Sequence, residues 1–125
     1  MRNPIDAYLM LQEPAIFEQA LAIVAADPLI DIILADLDLY TLQEVNPTAI
    51  AEMEKIMTSF AGQRSGKLLV ALLGTLRGNS KVNAERTRLR KEFSQAGIGI
   101  YRTLPRACRA LAKFIAYHEF QLDSN

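Results

Sequence analysis

The sequence predicts an α/β domain built on a parallel β-sheet, and three observations support this prediction. Short apolar runs of strand length alternate with longer stretches of helical period along the chain. Two of these runs, residues 29–35 and 67–73, are apolar at nearly every position, which is typical of parallel strands covered on both faces. With 125 residues, 50% of them hydrophobic, the chain can bury one core. We therefore expect one domain over residues 1–122 and a frayed polar tail at 123–125.

The first half of the chain predicts two strand–helix units. Residues 5–11 are a short apolar run that we interpret as the first strand. In residues 14–27 apolar side chains recur at spacings of three and four, which predicts a helix that ends before the following proline. Residues 29–35 are the second strand. A helix over 47–62 follows, with Asn46 as its N-cap and a proline at its first position.

The second half predicts two more units and, with them, the topology. Residues 67–73 are the third strand, and a glycine-containing loop leads to a helix that closes at Gly97. Residues 98–101 are the last strand, and Thr103 caps a final helix that Pro105 opens. Four alternations of strand and helix require a parallel sheet with right-handed crossovers. We expect a flavodoxin-like three-layer αβα domain whose four strands lie in the order 2-1-3-4.

The start of the helix over 47–62 is the first candidate site. In open α/β sheets, ligands bind at the carboxyl ends of the strands, and a helix N-terminus there offers unpaired N–H groups to an anion. The second strand feeds this helix through a polar loop. We therefore predict phosphate-binding residues at the helix start, namely Asn46, Thr48 and Ala49.

The loop from Gly74 to Ser80 is a second candidate anion site. It lies between a strand and a helix, so its N–H groups, together with Arg77 or Lys81, can surround an anion. The predicted residues are Gly74, Gly78 and Ser80. The spacing excludes a P-loop, because three residues separate the glycines and no Lys-Ser or Lys-Thr pair follows. Ser80 has the simpler alternative role of helix N-cap.

No catalytic residue and no metal site is predicted. Asp36 and Asp38, with Glu44 further along the same loop, offer the oxygen ligands that Mg²⁺ takes, but a solvated acidic loop is the favoured interpretation. His118 is the only histidine and Cys108 the only cysteine. Both lie on the apolar stripe of the last helix, so we expect a half-buried packing histidine and a core thiol.

Charge is distributed unevenly along the chain, although the formal net charge is zero. Residues 1–63 contain two basic and ten acidic side chains, and residues 64–125 contain twelve basic and four acidic ones, which gives the halves charges of −8 and +8. Two oppositely charged solvated surfaces are the favoured interpretation. Docking of each surface to a complementary partner or domain is the alternative.

The composition also argues against three other classes of protein. The basic helix after Ser80 lacks the interleaved aromatic residues of nucleic-acid-binding proteins, so we expect no nucleic-acid partner. No apolar run reaches the roughly 18 residues that a membrane span needs, so we expect no membrane partner. A single cysteine is typical of a cytosolic protein and not of a secreted disulfide scaffold. We therefore expect a cytoplasmic location.

Three segments of the chain together resemble parts of one known enzyme family. The chain opens with Asn-Pro-Ile-Asp at residues 3–6, continues with FEQALAIVAADPLIDIILADL at 17–37, and closes with AGIGIYRTLPRACRALAKFIAYHEF at 96–120. These segments resemble the start, the helix–turn–strand and the final strand–helix of the second flavodoxin-like (ligase-CoA type) domain of NDP-forming acyl-CoA synthetases, in the succinyl-CoA ligase superfamily. With the intervening units, the similarity covers nearly the whole chain.

The resemblance implies a supporting role in a larger acid–thiol ligase. The complete enzymes interconvert acyl-CoA, NDP and phosphate with the free acid, CoA and NTP, and move the phosphoryl group through a phosphohistidine. In these enzymes the CoA-binding, His-bearing and ATP-grasp domains are separate from the domain that this chain resembles. The isolated chain is therefore expected to be inactive and to bind neither CoA nor ATP/ADP with Mg. Its helix start at Asn46, Thr48 and Ala49 would face the phosphohistidine phosphate.

Several alternatives stay open on the sequence. The partners implied by the resemblance are the CoA-binding/phosphohistidine and ATP-grasp domains or subunits of the same enzyme, and a homodimer is the alternative assembly. A stand-alone flavodoxin-like binding or adaptor module that has lost the enzyme is the alternative function. A metal-dependent enzyme that uses Asp36 and Asp38 is the third hypothesis.

Overall fold

The described part of the chain alternates helices and strands, as the sequence predicts. The computed structural model describes residues 13–63, 65–74 and 78–124. In chain order its elements are α1 (Pro14–Ala25), β1 (Ile32–Asp36), α2 (Leu39–Val45), α3 (Thr48–Gly62), β2 (Leu68–Leu72), α4 (Ser80–Gln95), β3 (Gly99–Tyr101) and α5 (Leu104–Ser124). Both strand pairs are parallel. The prediction of an α/β domain with a parallel sheet is therefore confirmed.

The sheet has three strands among the described residues, in the order β1-β2-β3, where four were predicted. β1 pairs directly with β2, with Ile32 opposite Leu68 and Asp36 opposite Leu72, and β2 pairs with β3. β1, β2 and β3 correspond to the predicted second, third and fourth strands. The predicted order 2-1-3-4 would place the predicted first strand between β1 and β2, so this part of the order is wrong. Strands joined by one crossover most often become neighbours, and the continuous β1–β2 ladder leaves no gap. The predicted first strand, residues 5–11, lies outside the described residues.

Helices cover both faces of this sheet, and the larger core is on one of them. Because consecutive strands are neighbours and crossovers are right-handed, the connecting helices α2, α3 and α4 belong on the same face, where they contact one another. Side chains of both layers are buried there, among them Met57, Leu69, Ala71, Leu89 and Phe93. α5 contacts β2 and β3. α5 covers the opposite face of the sheet, toward which the side chains of Val70 and Leu72 point.

The segment between Asp38 and Asn46 is a short helix, where the sequence suggests a polar loop. The Asp38 carboxylate caps α2, because it accepts hydrogen bonds from the N–H and the hydroxyl of Thr41 at 3.2 and 2.7 Å. Leu39 and Leu42 share one side of the helix and are buried. With seven residues, α2 spans two turns and is too short for a helical period to be recognised in the sequence.

Gly97 was predicted to end the helix before the last strand and Thr103 to cap the final helix, and both lie at these positions. Gly97 follows α4 with φ of 82°, the left-handed conformation with which many helices end. At the start of α5, the Thr103 hydroxyl accepts a hydrogen bond from the N–H of Arg106 at 3.3 Å. α5 continues through Ser124, into the predicted tail, and Asn125 lies outside the described residues.

Lys67 connects the turn before β1 with the start of β2. Its ammonium group donates a hydrogen bond to the carbonyl of Asp27 at 2.8 Å and another to the carbonyl of Ile30. Because hydrogen bonds from a charged donor stabilise more than neutral ones, we expect Lys67→Met to lower the free energy of unfolding by about 2 kcal/mol. Urea unfolding measures this change. Lys55→Met, at an exposed position of α3, is the control, and equal losses in both variants would contradict the role of Lys67.

Candidate functional site

The carboxyl ends of the three strands surround a cavity of about 470 Å³, which we call the carboxyl-edge crevice. Its lining comes from all three strand ends and from the first turn of α5: Asp36, Leu72, Gly74, Arg102, Thr103, Leu104 and Arg106. Ligands of open parallel α/β sheets bind at this edge. The crevice is therefore the candidate functional site.

Backbone contacts beyond the strands hold the walls of the crevice together. The N–H of Leu73 donates to the carbonyl of Tyr101 at 3.0 Å, which continues the β2–β3 ladder past its last pair. Gly74 then passes so close to Arg102 that a Cβ at Gly74 would lie 1.7 Å from the Arg102 carbonyl oxygen. Only a glycine permits this approach without a shift of the backbone.

Three arginines gather at the crevice from different elements. Arg102 follows β3 and Arg106 lies in the first turn of α5, and both line the crevice. Arg86 of α4 reaches the same edge, where its Nε donates to the carbonyl of Leu73 at 2.8 Å. Burial and the positive charge of Arg102 lower the pKa of Arg86, so the two guanidinium groups are close enough to repel each other.

Arg88 of α4 forms ion pairs, whereas the three arginines at the crevice do not among the described residues. Arg88 forms ion pairs with Glu54 of α3 at 2.8 Å and with Glu85 at 2.9 Å, and these contacts connect the two helices. Within the ranges that the structure describes, Arg86, Arg102 and Arg106 form no ion pair. The chain therefore concentrates unpaired positive charge at the carboxyl edge of the sheet.

Asp36 adds one carboxylate to the same crevice. Partial desolvation, followed by the negative charge of Asp38, raises the pKa of Asp36 above its ordinary value. The Asp38 carboxylate itself is held by Thr41 at the start of α2. Across the described residues, no group of three His, Cys, Asp or Glu side chains is arranged to hold a metal ion.

Asp36→Asn is expected to stabilise the protein at neutral pH and to have little effect in acid. Because the folded-state pKa of Asp36 is raised above 3.8, the folded state binds the proton more tightly than the unfolded state does. The parent protein therefore loses stability as the pH rises from 3.8 through the folded-state pKa, and the asparagine variant does not. Urea unfolding on both sides of this interval measures the difference, and a difference that is independent of pH would contradict the assignment.

The residues predicted at the start of α3 lie outside the carboxyl-edge crevice. Asn46, Thr48 and Ala49 stand at the junction of α2 and α3, where the Thr48 hydroxyl donates to Asn46 Oδ1 at 2.8 Å. The N–H of Ala49 donates to the carbonyl of Asn46 at 3.0 Å, and that of Ile50 donates to the carbonyl of Pro47 at 3.3 Å. Two N–H groups of the first turn are thus already bound within the chain, and the phosphate role of this helix start stays a prediction.

The predicted anion loop is divided in the structure. Gly74 lines the crevice, Gly78 and Ser80 are exposed and not part of its lining, and residues 75–77 lie outside the described ranges. Asn79 and not Ser80 caps α4, because Asn79 Oδ1 accepts from the N–H of Val82 at 2.9 Å. The alternative N-cap role of Ser80 is therefore wrong, because the cap is one residue earlier.

The expectations for Cys108 and His118 are wrong, since both side chains are exposed. The helix buries Ala107 and Leu111 against the sheet, so the buried face is rotated away from Cys108. His118 lies beyond this contact and packs edge-to-face with Phe114, with ring centroids 4.4 Å apart. A helical period shows that one face is apolar, and the length of the strands decides how much of that face is covered.

The second half of α5 carries an exposed apolar surface, which we call the α5 surface. Its large side chains are between 42% and 77% exposed: Phe114, Ile115, Tyr117, Phe120 and Leu122. A groove of about 470 Å³ separates part of it from the amino ends of β1 and β2, at Ile32 and Leu68. The structure thus leaves apolar area uncovered on the side of the sheet opposite the main core.

The parallel sheet, its helices on both faces and the basic crevice at its carboxyl edge define an α/β domain with a candidate anion-binding edge. Comparisons of the chain with protein-family models, with curated proteins and with solved structures found no match. Among the described residues, no helix combines the length and the apolar character that a membrane span requires.

Proposed function

We propose that this chain is a supporting, flavodoxin-like domain of an ADP/NDP-forming acyl-CoA synthetase, without catalytic residues of its own. In this role it packs against the CoA-binding/phosphohistidine and ATP-grasp parts of the enzyme. CoA and ATP or ADP with Mg are bound by those parts. The three segments that resemble the family suggest the role, and the α5 surface is the structural observation that carries it.

The α5 surface supports the proposal because it is too apolar for a free helix end. α5 has 21 residues and is about 31 Å long, whereas the neighbouring strand β3 has three residues. The helix therefore extends beyond the sheet, and Phe120 and Leu122 are 68% and 77% exposed. Large exposed apolar patches mark interaction sites.

The charge distribution supports docking between unlike neighbours. The acidic half of the chain supplies α1, β1, α2 and α3, and the basic half supplies β2, α4, β3 and α5. Since β1 and β3 stand at opposite ends of the described strand order, opposite charges are carried toward opposite sides of this part of the domain. Such polarity orients a domain between two partners of complementary charge.

The proposed contribution to phosphoryl transfer is electrostatic. α3 has 15 residues, and its dipole places partial positive charge at Thr48 and the residues beside it. A phosphate presented to this helix start by another domain would be stabilised without any covalent step in this chain. The phosphohistidine would come from the partner, since His118 lies on α5 at the amino ends of the strands.

The test begins with the coding sequence next to this chain, which we expect to encode CoA-binding and His-bearing domains. The purified partner is then assayed for ADP- and CoA-dependent ligase activity with and without this chain. We expect activity to require the chain and to fall at least about tenfold with the double variant Phe120→Ser, Leu122→Ser. Leu29→Ser, at another exposed leucine, is the matched control. Full activity without the chain would overturn the proposal.

A stand-alone binding module is the second candidate function, and the carboxyl-edge crevice favours it. The crevice is formed by this chain alone, from all three strand ends and α5. A module of this kind would bind its ligand without another domain. The partner assay distinguishes the two functions, because full ligase activity without this chain, together with ligand binding by the isolated chain, supports the module.

A further inference from the structure

We infer that the carboxyl-edge crevice is a binding site for a phosphoryl dianion, held by Arg102 and Arg106 and supported by Arg86. The inference concerns the isolated chain and does not depend on the role in an acyl-CoA synthetase. Of the residues predicted from the sequence to bind an anion, only Gly74 lines this crevice, and the arginines that hold the anion were not among them.

The first argument is that the backbone places two arginines at the crevice and that a third, Arg86, is held in place before any ligand binds. Arg102 and Arg106 lie on either side of Thr103, at the end of β3 and in the first turn of α5. The Arg86 guanidinium is fixed by the Leu73 carbonyl at 2.8 Å and by Asn83 Oδ1 at 3.0 Å. Groups that are already oriented lose less conformational entropy when they bind a ligand.

The second argument is the charge inside the crevice. Arg102 and Arg106 of the lining and Arg86, which lies beside it at the same edge, contribute three positive charges, and Asp36 contributes one negative charge when ionised. The positive balance favours an anion such as a phosphate monoester, which carries about −1.5 to −2 at pH 7. The chain pairs a structural arginine, Arg88, with two glutamates, but it leaves the crevice arginines without such partners among the described residues.

The third argument is the geometry of the available donors. A guanidinium group presents a planar fork of N–H groups, which binds two oxygens of a phosphate at once. The Thr103 hydroxyl accepts from the N–H of Arg106, so its own hydrogen remains able to donate to a ligand oxygen. Arg102, Arg106 and Thr103 all line the crevice, so their donors are available to the oxygens of a phosphoryl group bound there.

The test is a titration of the ¹⁵N-labelled full chain with inorganic phosphate at constant ionic strength, followed by amide shifts. We expect the largest shifts between residues 102 and 106 and near residues 36 and 74. Arg102→Gln and Arg106→Gln are each expected to weaken phosphate binding about tenfold, since each removes one charge-assisted contact. Arg109→Gln, an exposed arginine of α5 that does not line the crevice, is the matched control and should leave the affinity unchanged.

Two further variants keep the test informative if a glutamine variant is unstable. Arg102→Lys keeps the charge and loses the fork, so we expect a weakening of about threefold. Asp36→Asn removes the opposing carboxylate and should strengthen phosphate binding. Shifts confined to residues 46–49, equal weakening by Arg109→Gln, or the same shifts with chloride would each overturn the inference.

The source of the phosphoryl group is decided by comparing inorganic phosphate with AMP. Equal affinities identify the phosphoryl group alone as the ligand. An affinity for AMP more than about tenfold higher identifies a nucleotide whose base and ribose contact the remaining lining. If neither inorganic phosphate nor AMP binds, the proposed site is contradicted.

Discussion

Phe93→Ala is expected to lower the free energy of unfolding by about 3–5 kcal/mol, a large effect for a single substitution. Phe93 lies on α4, is 0% exposed, and belongs to the core between the helices and the sheet. Its removal leaves a cavity that a close-packed interior cannot refill. A domain of this size has a total stability of about 5–15 kcal/mol, so the variant would lose a large part of it.

The matched control for Phe93→Ala is Phe120→Ala. Phe120 is 68% exposed on α5, so the same chemical change removes little buried area in the isolated chain. We expect its effect to stay within about 0.5 kcal/mol. Urea unfolding followed by circular dichroism measures both variants. Similar losses in the two variants would show that α4 does not pack on the sheet as described.

Gly74→Ala is expected to destabilise the protein by about 2 kcal/mol or more and to deform the carboxyl-edge crevice. The new Cβ would lie 1.7 Å from the carbonyl oxygen and 2.8 Å from the carbonyl carbon of Arg102. Both atoms are backbone, so neither can move away by a change of rotamer. The end of β2 and the start of α5 must separate, which moves Arg102 out of place.

Gly62→Ala tests the same chemical change where there is room for it. Gly62 is the last residue of α3, and an added Cβ would meet no atom within 4 Å. Replacement of glycine by alanine at a compatible helical position stabilises by up to about 1 kcal/mol. The two variants are thus expected to change the unfolding midpoint in opposite directions. A midpoint for Gly74→Ala at or above that of the parent protein would contradict the close contact with Arg102.

Much of the local structure was predictable because local signals specify it. The apolar runs at 29–35, 67–73 and 98–101 overlap β1, β2 and β3, and the helical periods overlap α1, α3, α4 and α5, with β1 ending one residue later and α5 continuing into the predicted tail. Gly97 and Thr103 stand at the helix ends where their conformational and hydrogen-bonding preferences place them. α2 was missed because a helix of two turns is too short to show a helical period. Its N-cap, Asp38, is also a residue type that is common in solvated loops.

The candidate site was only partly predictable. The sequence directed attention to the carboxyl ends of the strands, and Asp36 and Gly74 do line the crevice there. The arginines were missed because Arg86 and Arg102 lie on different elements, and only the parallel pairing of β2 with β3 brings those elements together. A signal was present in the Arg-Thr-Leu-Pro-Arg stretch at 102–106, where basic residues flank a helix start directly after a strand.

The sequence by itself determined the α/β alternation, the positions of the described strands and the two helix ends, because periodicity, caps and glycine conformation act over a few residues. The tertiary structure alone decided the neighbour relation of β1 and β2, the exposure of Cys108 and His118, and the gathering of three arginines at one edge. These features depend on contacts between residues distant in the chain. Strand order sets which helices share a face, and the length of the strands sets how much of α5 the sheet can bury.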